Sequence, residues 1–200
     1  MKPTKEEIQK ERAQQEADIV QCLKTLSAGG LILYPTDTVW GIGCDATNAE
    51  AVKKVYQLKQ RDDSKALIVL LDSIDHIDHY VVDVPEMALE LQDIAVKPLT
   101  IIYEGAFNVA HNLLGENDSL GIRVPHEAFS QRLCAQFGKP IVSTSANVSG
   151  APSALNFAQI SDEIKSGVDY VVNYRQDDES VHAASNIILF RGDGTFRIIR

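Results

Sequence analysis

Apolar residues first fall into a helical rhythm at Ile19, Val20, Leu23 and Leu26, one stripe of an amphipathic helix that ends near Gly29-Gly30. The turns before this stripe are polar all round, and Thr4-x-x-Glu7 has the form of a capping box. A helix starting at Thr4 and docking only its second half is therefore expected. Leu31-Ile-Leu-Tyr34 is a short, continuous apolar run, the signature of a buried strand, and Pro35 closes it. The polar, glycine-bearing stretch Thr36 to Gly43 reads as a loop or a turn into another strand.

Thr47-x-x-Glu50 looks like a second capping box, with Val52, Val55 and Tyr56 at helical spacing up to Leu58. Strands are expected at Ala66 to Leu71, Pro98 to Tyr103, Ser119 to Val124 and Pro140 to Ser143. Between them the pattern predicts a helix from Pro85 to Ile94 and another carrying Phe129, Leu133 and Phe137, stopped by Gly138. The last quarter adds a helix around Phe157 to Lys165 and β-rich runs at Val168 to Asn173, Ser185 to Phe190 and Thr195 to Ile199. Alternating helices and strands, without a repeat or a low-complexity linker, predict a single α/β domain on one twisted, mostly buried sheet.

Composition narrows the function. Of 200 residues, 44% are hydrophobic, enough to bury a core, and 19 Lys+Arg against 28 Asp+Glu leave a net charge of −9. Such a chain does not hold nucleic acid by bulk attraction, so any basic site must be local. No apolar run approaches the roughly 20 residues of a membrane span, and the charged N-terminal segment lacks the apolar core of a secretory signal. The three cysteines, Cys22, Cys44 and Cys134, are odd in number and widely spaced, as expected of reduced thiols in a cytoplasmic protein. The Asn-x-Ser triplets at Asn117 and Asn147 then stay unglycosylated.

Neither a P-loop nor a complete G-x-G-x-x-G is present, since Gly41-Ile-Gly43 lacks its third glycine, and H-E-x-x-H and G-x-S-x-G are missing too. His76 and His79 stand three apart without a third ligand implied by spacing, so no metal site is assigned. Lys59, Arg61 and Lys65 cluster where a helix ends and a strand begins. They suit both the negative end of a helix and a bound polyphosphate. Ser143 to Gly150 offers hydroxyls and little bulk, either as an ordinary turn or as a loop whose amides approach an anion. Thr36, Asp37 and Thr38 are equally ambiguous. Arg123 interrupts the apolar strand Leu120 to Val124 and needs a partner, either an internal carboxylate or that of a ligand.

These residues carry a resemblance. Gly29 to Gly43, the K-x-R of Lys59-Gln-Arg61 with the S-x-N of Ser145-Ala-Asn147, Gly121 to Pro125 and Ser143 to Gly150 form a colinear set from about Ile19 onward. It resembles the YrdC-type threonylcarbamoyl-AMP synthases, in the short form without a further C-terminal domain. The resemblance implies an open, mixed, YrdC/RibB-like sheet flanked by helices, spanning residues 19–200 after a helical extension over 1–18.

The implied reaction joins L-threonine, bicarbonate and ATP into threonylcarbamoyl-AMP and pyrophosphate, with Mg²⁺ accompanying ATP. Lys59 and Arg61 would be catalytic. ATP would be held by Lys59, Arg61, Lys65, Ser119, Ser145, Asn147, Ser153 and Arg197, and threonine by Thr38, Arg123, Ser143 and Ser185. The product would pass to tRNA-modifying transferase proteins, with a direct tRNA contact left open and no membrane partner. Ala66, Leu70 and Asn186 depart from the family's usual residues, as do Trp40 and Val96-Lys-Pro-Leu. Two other readings share the fold: a YciO-type paralogue and a non-catalytic RNA-binding or ribosome-assembly factor.

Overall fold

Leu31 to Tyr34 offer no polar face, so they require protein on both sides; in the computed structural model none of the four exceeds 2% exposure. The structure describes residues 4–61, 67–180 and 183–200. Along these run α1 (Lys5–Ser27), β1 (Ile32–Tyr34), β2 (Gly41–Gly43), α2 (Ala49–Leu58), β3 (Ile68–Leu70), α3 (Glu86–Ile94) and β4 (Leu99–Tyr103). Next come β5 (Leu120–Arg123), α4 (Ala128–Phe137), β6 (Ile141–Ser145), α5 (Asp162–Ser166), β7 (Tyr170–Val171), β8 (Asn186–Phe190) and β9 (Phe196–Ile198). The strands form one sheet in the order β7-β1-β2-β6-β3-β5-β4-β8-β9. Parallel pairs (β1 with β7, β3 with β5, β4 with β8) sit among antiparallel ones, so the sheet is mixed, and it is open, with β7 and β9 at its edges.

The capping box at Thr4 is present, with the Glu7 amide donating to Thr4 Oγ1 and the Thr4 amide to Glu7 Oε2. As the pattern required, α1 is exposed up to Ala17 except at half-buried Gln15, and docks through Ile19, Cys22 and Leu26. Residue 18 is nonetheless not a break. The helix runs on through it, and Asp18 is fully buried. Its carboxylate accepts from Tyr170 Oη at 2.6 Å, Asn173 N at 3.1 Å and Tyr174 N at 2.9 Å, which welds α1 to the segment after β7.

Local capping chemistry moves two expected boundaries. Asn48, not Thr47, caps α2: its Oδ1 accepts from the Glu50 and Ala51 amides, while the Thr47 hydroxyl donates to Asp45 at 2.7 Å. The helix expected over Phe157 to Lys165 is split into a single turn at Phe157–Gln159 and α5, because Ser161 caps a new helix by accepting from Ile164 N. β6 runs to Ser145, so the first three residues of the small-residue loop are strand.

Tyr34 is fully buried and lies against the glycines of β2. A Cβ on Gly43 would stand 2.8 Å from Tyr34 Cε1 and 3.0 Å from the Val142 carbonyl oxygen. Gly43→Ala is therefore expected to lower the free energy of urea unfolding by about 1–3 kcal/mol, through overpacking. Gly192→Ala, whose added carbon meets nothing nearer than 3.7 Å, should stay within about 0.5 kcal/mol of the parent.

Candidate active site

The site rests on strand register. Ile68 lies opposite Gly121 on one side and Ser143 on the other, and Gly41 lies opposite Ser145. Side chains alternate along a strand, so Gly121 and Arg123 share one face of β5. A Cβ at Gly121 would come within 2.9 Å of Ile68 Cγ2 and 3.3 Å of Thr100 Cγ2, so glycine lets β3, β5 and β4 pack this closely. Beside these strands is a cavity of about 270 Å³ lined by Thr38, Arg61, Arg123, Ser143, Ser145, Ser153 and Ser185 among the residues singled out from sequence. Its described lining contains three arginines, the third being Arg200, and no Asp or Glu.

Arg123 is buried at 2% exposure. Its Nη1 donates to Thr38 Oγ1 at 3.0 Å, and its Nη2 lies 3.3 Å from Asp37 Oδ1. The internal carboxylate that a charged residue on a buried strand calls for is thus Asp37. Arg123 Nε remains buried without an acceptor among the described residues. Thr36 Oγ1 donates to the Val39 carbonyl at 2.8 Å, so in its 2.9 Å contact with Thr38 the latter's hydroxyl is the donor. Thr38 therefore presents a lone pair, rather than a proton, to Arg123.

Lys59 lies behind the cavity wall at 1% exposure. Its ammonium donates to the Ser145 carbonyl and, at 2.7 Å, to that of Asn147, while its own carbonyl accepts from the Ser149 amide at 2.8 Å. The K-x-R lysine and the S-x-N loop are thus one hydrogen-bonded unit. Asn147 turns into the same loop, donating from Nδ2 to the carbonyls of Val148 at 3.0 Å and Ala151 at 2.7 Å. Ser185 shares a 2.8 Å hydrogen bond with Thr100, and its carbonyl accepts from Arg200 Nε at 3.0 Å.

Four of the described predicted residues are not on this lining: Lys59 and Asn147 bond into the loop behind it, and Ser119 and Arg197 lie elsewhere. Ser119 precedes the far end of β5 and lines a separate depression of about 490 Å³ with Glu104 and Arg191. Arg197 sits on edge strand β9, paired with Leu189 and exposed; the cation that this end of the chain supplies to the cavity is Arg200. Lys65 lies outside the described residues, as does Ala66. Arg200, Thr100 and the pairing of Asp37 were missed in the sequence. Arg197 lies on β9 and Arg200 just beyond its end, and nothing local says which of the two meets the site. Among the described residues no cluster of His, Cys, Asp and Glu could hold a metal, and His76 instead bonds Asp72 at 2.8 Å.

The sequence profile of the family Sua5_yciO_yrdC, described as "Telomere recombination", matches residues 24–200. The chain belongs to the Sua5/YciO/YrdC family. It is 34% identical to the threonylcarbamoyl-AMP synthase of Pseudoalteromonas translucida over 161 residues, covering 79% of this chain and 86% of the relative. Among solved structures, P. abyssi Sua5 complexed with L-threonine superposes with a TM-score of 0.76 at 24% identity, over 86% of this chain and 50% of that one. The chain thus spans about half the length of that Sua5. E. coli YciO superposes with a TM-score of 0.77 at 23% identity, over 93% of this chain and 89% of that one. These two likenesses bear on the fold, which they share with this member of the family.

Burial first, and neighbouring Arg61 second, push the Lys59 ammonium down to about 8. An unfolded chain keeps this proton up to about 10.5, so between these values the unfolded state binds more protons, and the contribution of Lys59 to stability grows as pH rises. The unfolding free energy of the parent minus that of Lys59→Met should accordingly increase from pH 7 to pH 10 in denaturant titrations. A flat difference would show that Lys59 titrates as an ordinary lysine.

Proposed function

We propose that this cavity makes threonylcarbamoyl-AMP from L-threonine, bicarbonate and ATP, releasing pyrophosphate, as a nucleotidyl transfer. The observation that carries the reading is the lining itself. Three arginines and a set of hydroxyls, with no carboxylate among the described lining residues, converge in a chain whose net charge is −9. That is a site for several anions at once. The relatives named threonylcarbamoyl-AMP synthase and the Sua5 structure with L-threonine support the choice of substrates.

Arg123, a buried guanidinium on the cavity lining, suits the threonine carboxylate, and Ser143 and Ser185 lie on the same cavity. Arg61 and Arg200 suit the phosphates, with Lys65 as a further candidate, and Ser145 and Ser153 suit the nucleotide. The threonine amine loses a proton as its nitrogen bonds to the carbon of bicarbonate, and water leaves. A carbamate oxygen then attacks the α-phosphorus in line, and the bond to pyrophosphate breaks. Repulsion between these anions is the main barrier, so positioning and fixed positive charge suffice without a protein nucleophile. Lys59 serves by holding the loop that carries Ser145. Mg²⁺ would offset phosphate charge; among the described residues the lining offers it no carboxylate, which fits a metal that enters on the triphosphate.

In the proposed setting the product passes in the cytoplasm to tRNA-modifying transferases. Net negative charge suits a protein that hands over a small molecule rather than gripping RNA broadly.

Purified protein should release pyrophosphate and form threonylcarbamoyl-AMP, seen by mass spectrometry, only when ATP, Mg²⁺, threonine and bicarbonate are all present. No product from folded protein that binds ATP would favour the YciO-type reading. Salt-dependent tRNA binding without turnover would favour the RNA-binding one. Arg61→Ala is expected to lower kcat by about 100-fold with the fold intact, measured by pyrophosphate release and circular dichroism.

A further inference from the structure

Asp37 has an unusual situation. Its side chain is only 9% exposed, and neither carboxylate oxygen accepts a hydrogen bond from a described residue. Among the described residues, the one group facing it within ion-pair distance is the Arg123 guanidinium, at 3.3 Å. Asp37 does not line the cavity, although Thr38 and Val39 do. Asp37 therefore stands behind the arginine, off the cavity lining.

The segment bearing it is clamped. Ser130 Oγ donates to the Pro35 carbonyl at 3.1 Å, and Arg175 Nη1 to that of Thr36 at 3.3 Å. The Thr36 hydroxyl closes the turn by donating to the Val39 carbonyl and accepting from the Thr38 amide. Asp37 thus cannot readily swing away. A buried carboxylate is costly unless it is paired, and this one is kept within reach of a single guanidinium.

We propose that Asp37 is a positioning residue for substrate recognition. From behind it holds Nη2 of Arg123 while Thr38 holds Nη1, so that the guanidinium is fixed in one orientation where Arg123 lines the cavity, toward the carboxylate of the amino-acid substrate. This rests on the reading of Arg123 as the threonine anchor. The opposite electrostatic outcome is equally definite: an anion beside Arg123 weakens its attraction for a second carboxylate, so removing Asp37 would tighten threonine binding if orientation did not matter.

The test is steady-state kinetics of the full chain with threonine and ATP varied in turn. Asp37→Ala should raise KM for threonine about tenfold, as expected when a buried guanidinium loses its ion-pair partner, with KM for ATP unmoved. Asp37→Asn, which keeps volume and an acceptor but not the charge, should rescue most of this and leave a rise of about threefold. With Arg123→Ala in the background, the Asp37 substitution should add nothing, because the effect passes through that arginine. An unchanged or lower KM for threonine, or equal changes for both substrates, overturns the proposal. If Asp37→Ala does not fold, Asp37→Asn decides alone, and a KM for threonine no higher than the parent's overturns the proposal. If Arg123→Ala itself leaves KM for threonine unchanged, the threonine anchor has been misassigned and the proposal falls with it. A rise for Arg123→Ala without one for the Asp37 variants overturns the proposal only.

Discussion

A guanidinium buried on a central strand constrains everything around it. Arg123 cannot be left without partners so far from water, and the chain meets this demand from elements distant in sequence. The turn between β1 and β2 brings Thr38 and Asp37 against it. Ser130 at the start of α4 pins that turn in place. Strand, turn and helix are thus held in mutual register by one side chain, and the cavity is the space that this arrangement leaves on the open side of the arginine.

Lys59 organises the opposite wall in a similar way. A buried ammonium that donates to two backbone carbonyls is a short, charged tether. It joins the end of α2 to the loop after β6, which positions Ser145 and sets the spacing between Arg61 and the hydroxyls. Both walls use positive charge, and the carboxylate paired with Arg123, that of Asp37, is kept off the lining. An acidic protein thereby carries a locally cationic cavity: its surface disfavours polyanions such as RNA, while its site accepts small ones.

The succession of helices and strands was legible because burial imposes periodicity. Ile19, Leu26, Val52 and Leu133 are buried as their spacing required, and the run from Leu31 to Tyr34 is buried on both faces. Element ends were less legible where two polar residues compete for the same amides, as Thr47 and Asn48 do at the start of α2. The site was partly legible. Arg123 stood out as a charge in an apolar strand, but Ser119, on the same strand's approach, was drawn in by motif and lies at another depression. Arg197 lies on β9 and Arg200 just past its end, and only the tertiary arrangement, in which Arg200 Nε bonds the Ser185 carbonyl, selects Arg200.

The sequence by itself determined the α/β class, the family, the absence of nucleotide-loop and zinc-protease motifs, and the kinds of groups available for chemistry: cations, hydroxyls and a buried arginine. These are local properties, written in periodicity, charge and short spacings. Tertiary structure alone decided that Lys59 turns into a loop rather than onto the cavity, that Asp37 is the partner of Arg123, and that Arg200 completes the site. Each of those outcomes depends on strand register and side-chain direction across residues far apart in the chain, which no local pattern specifies.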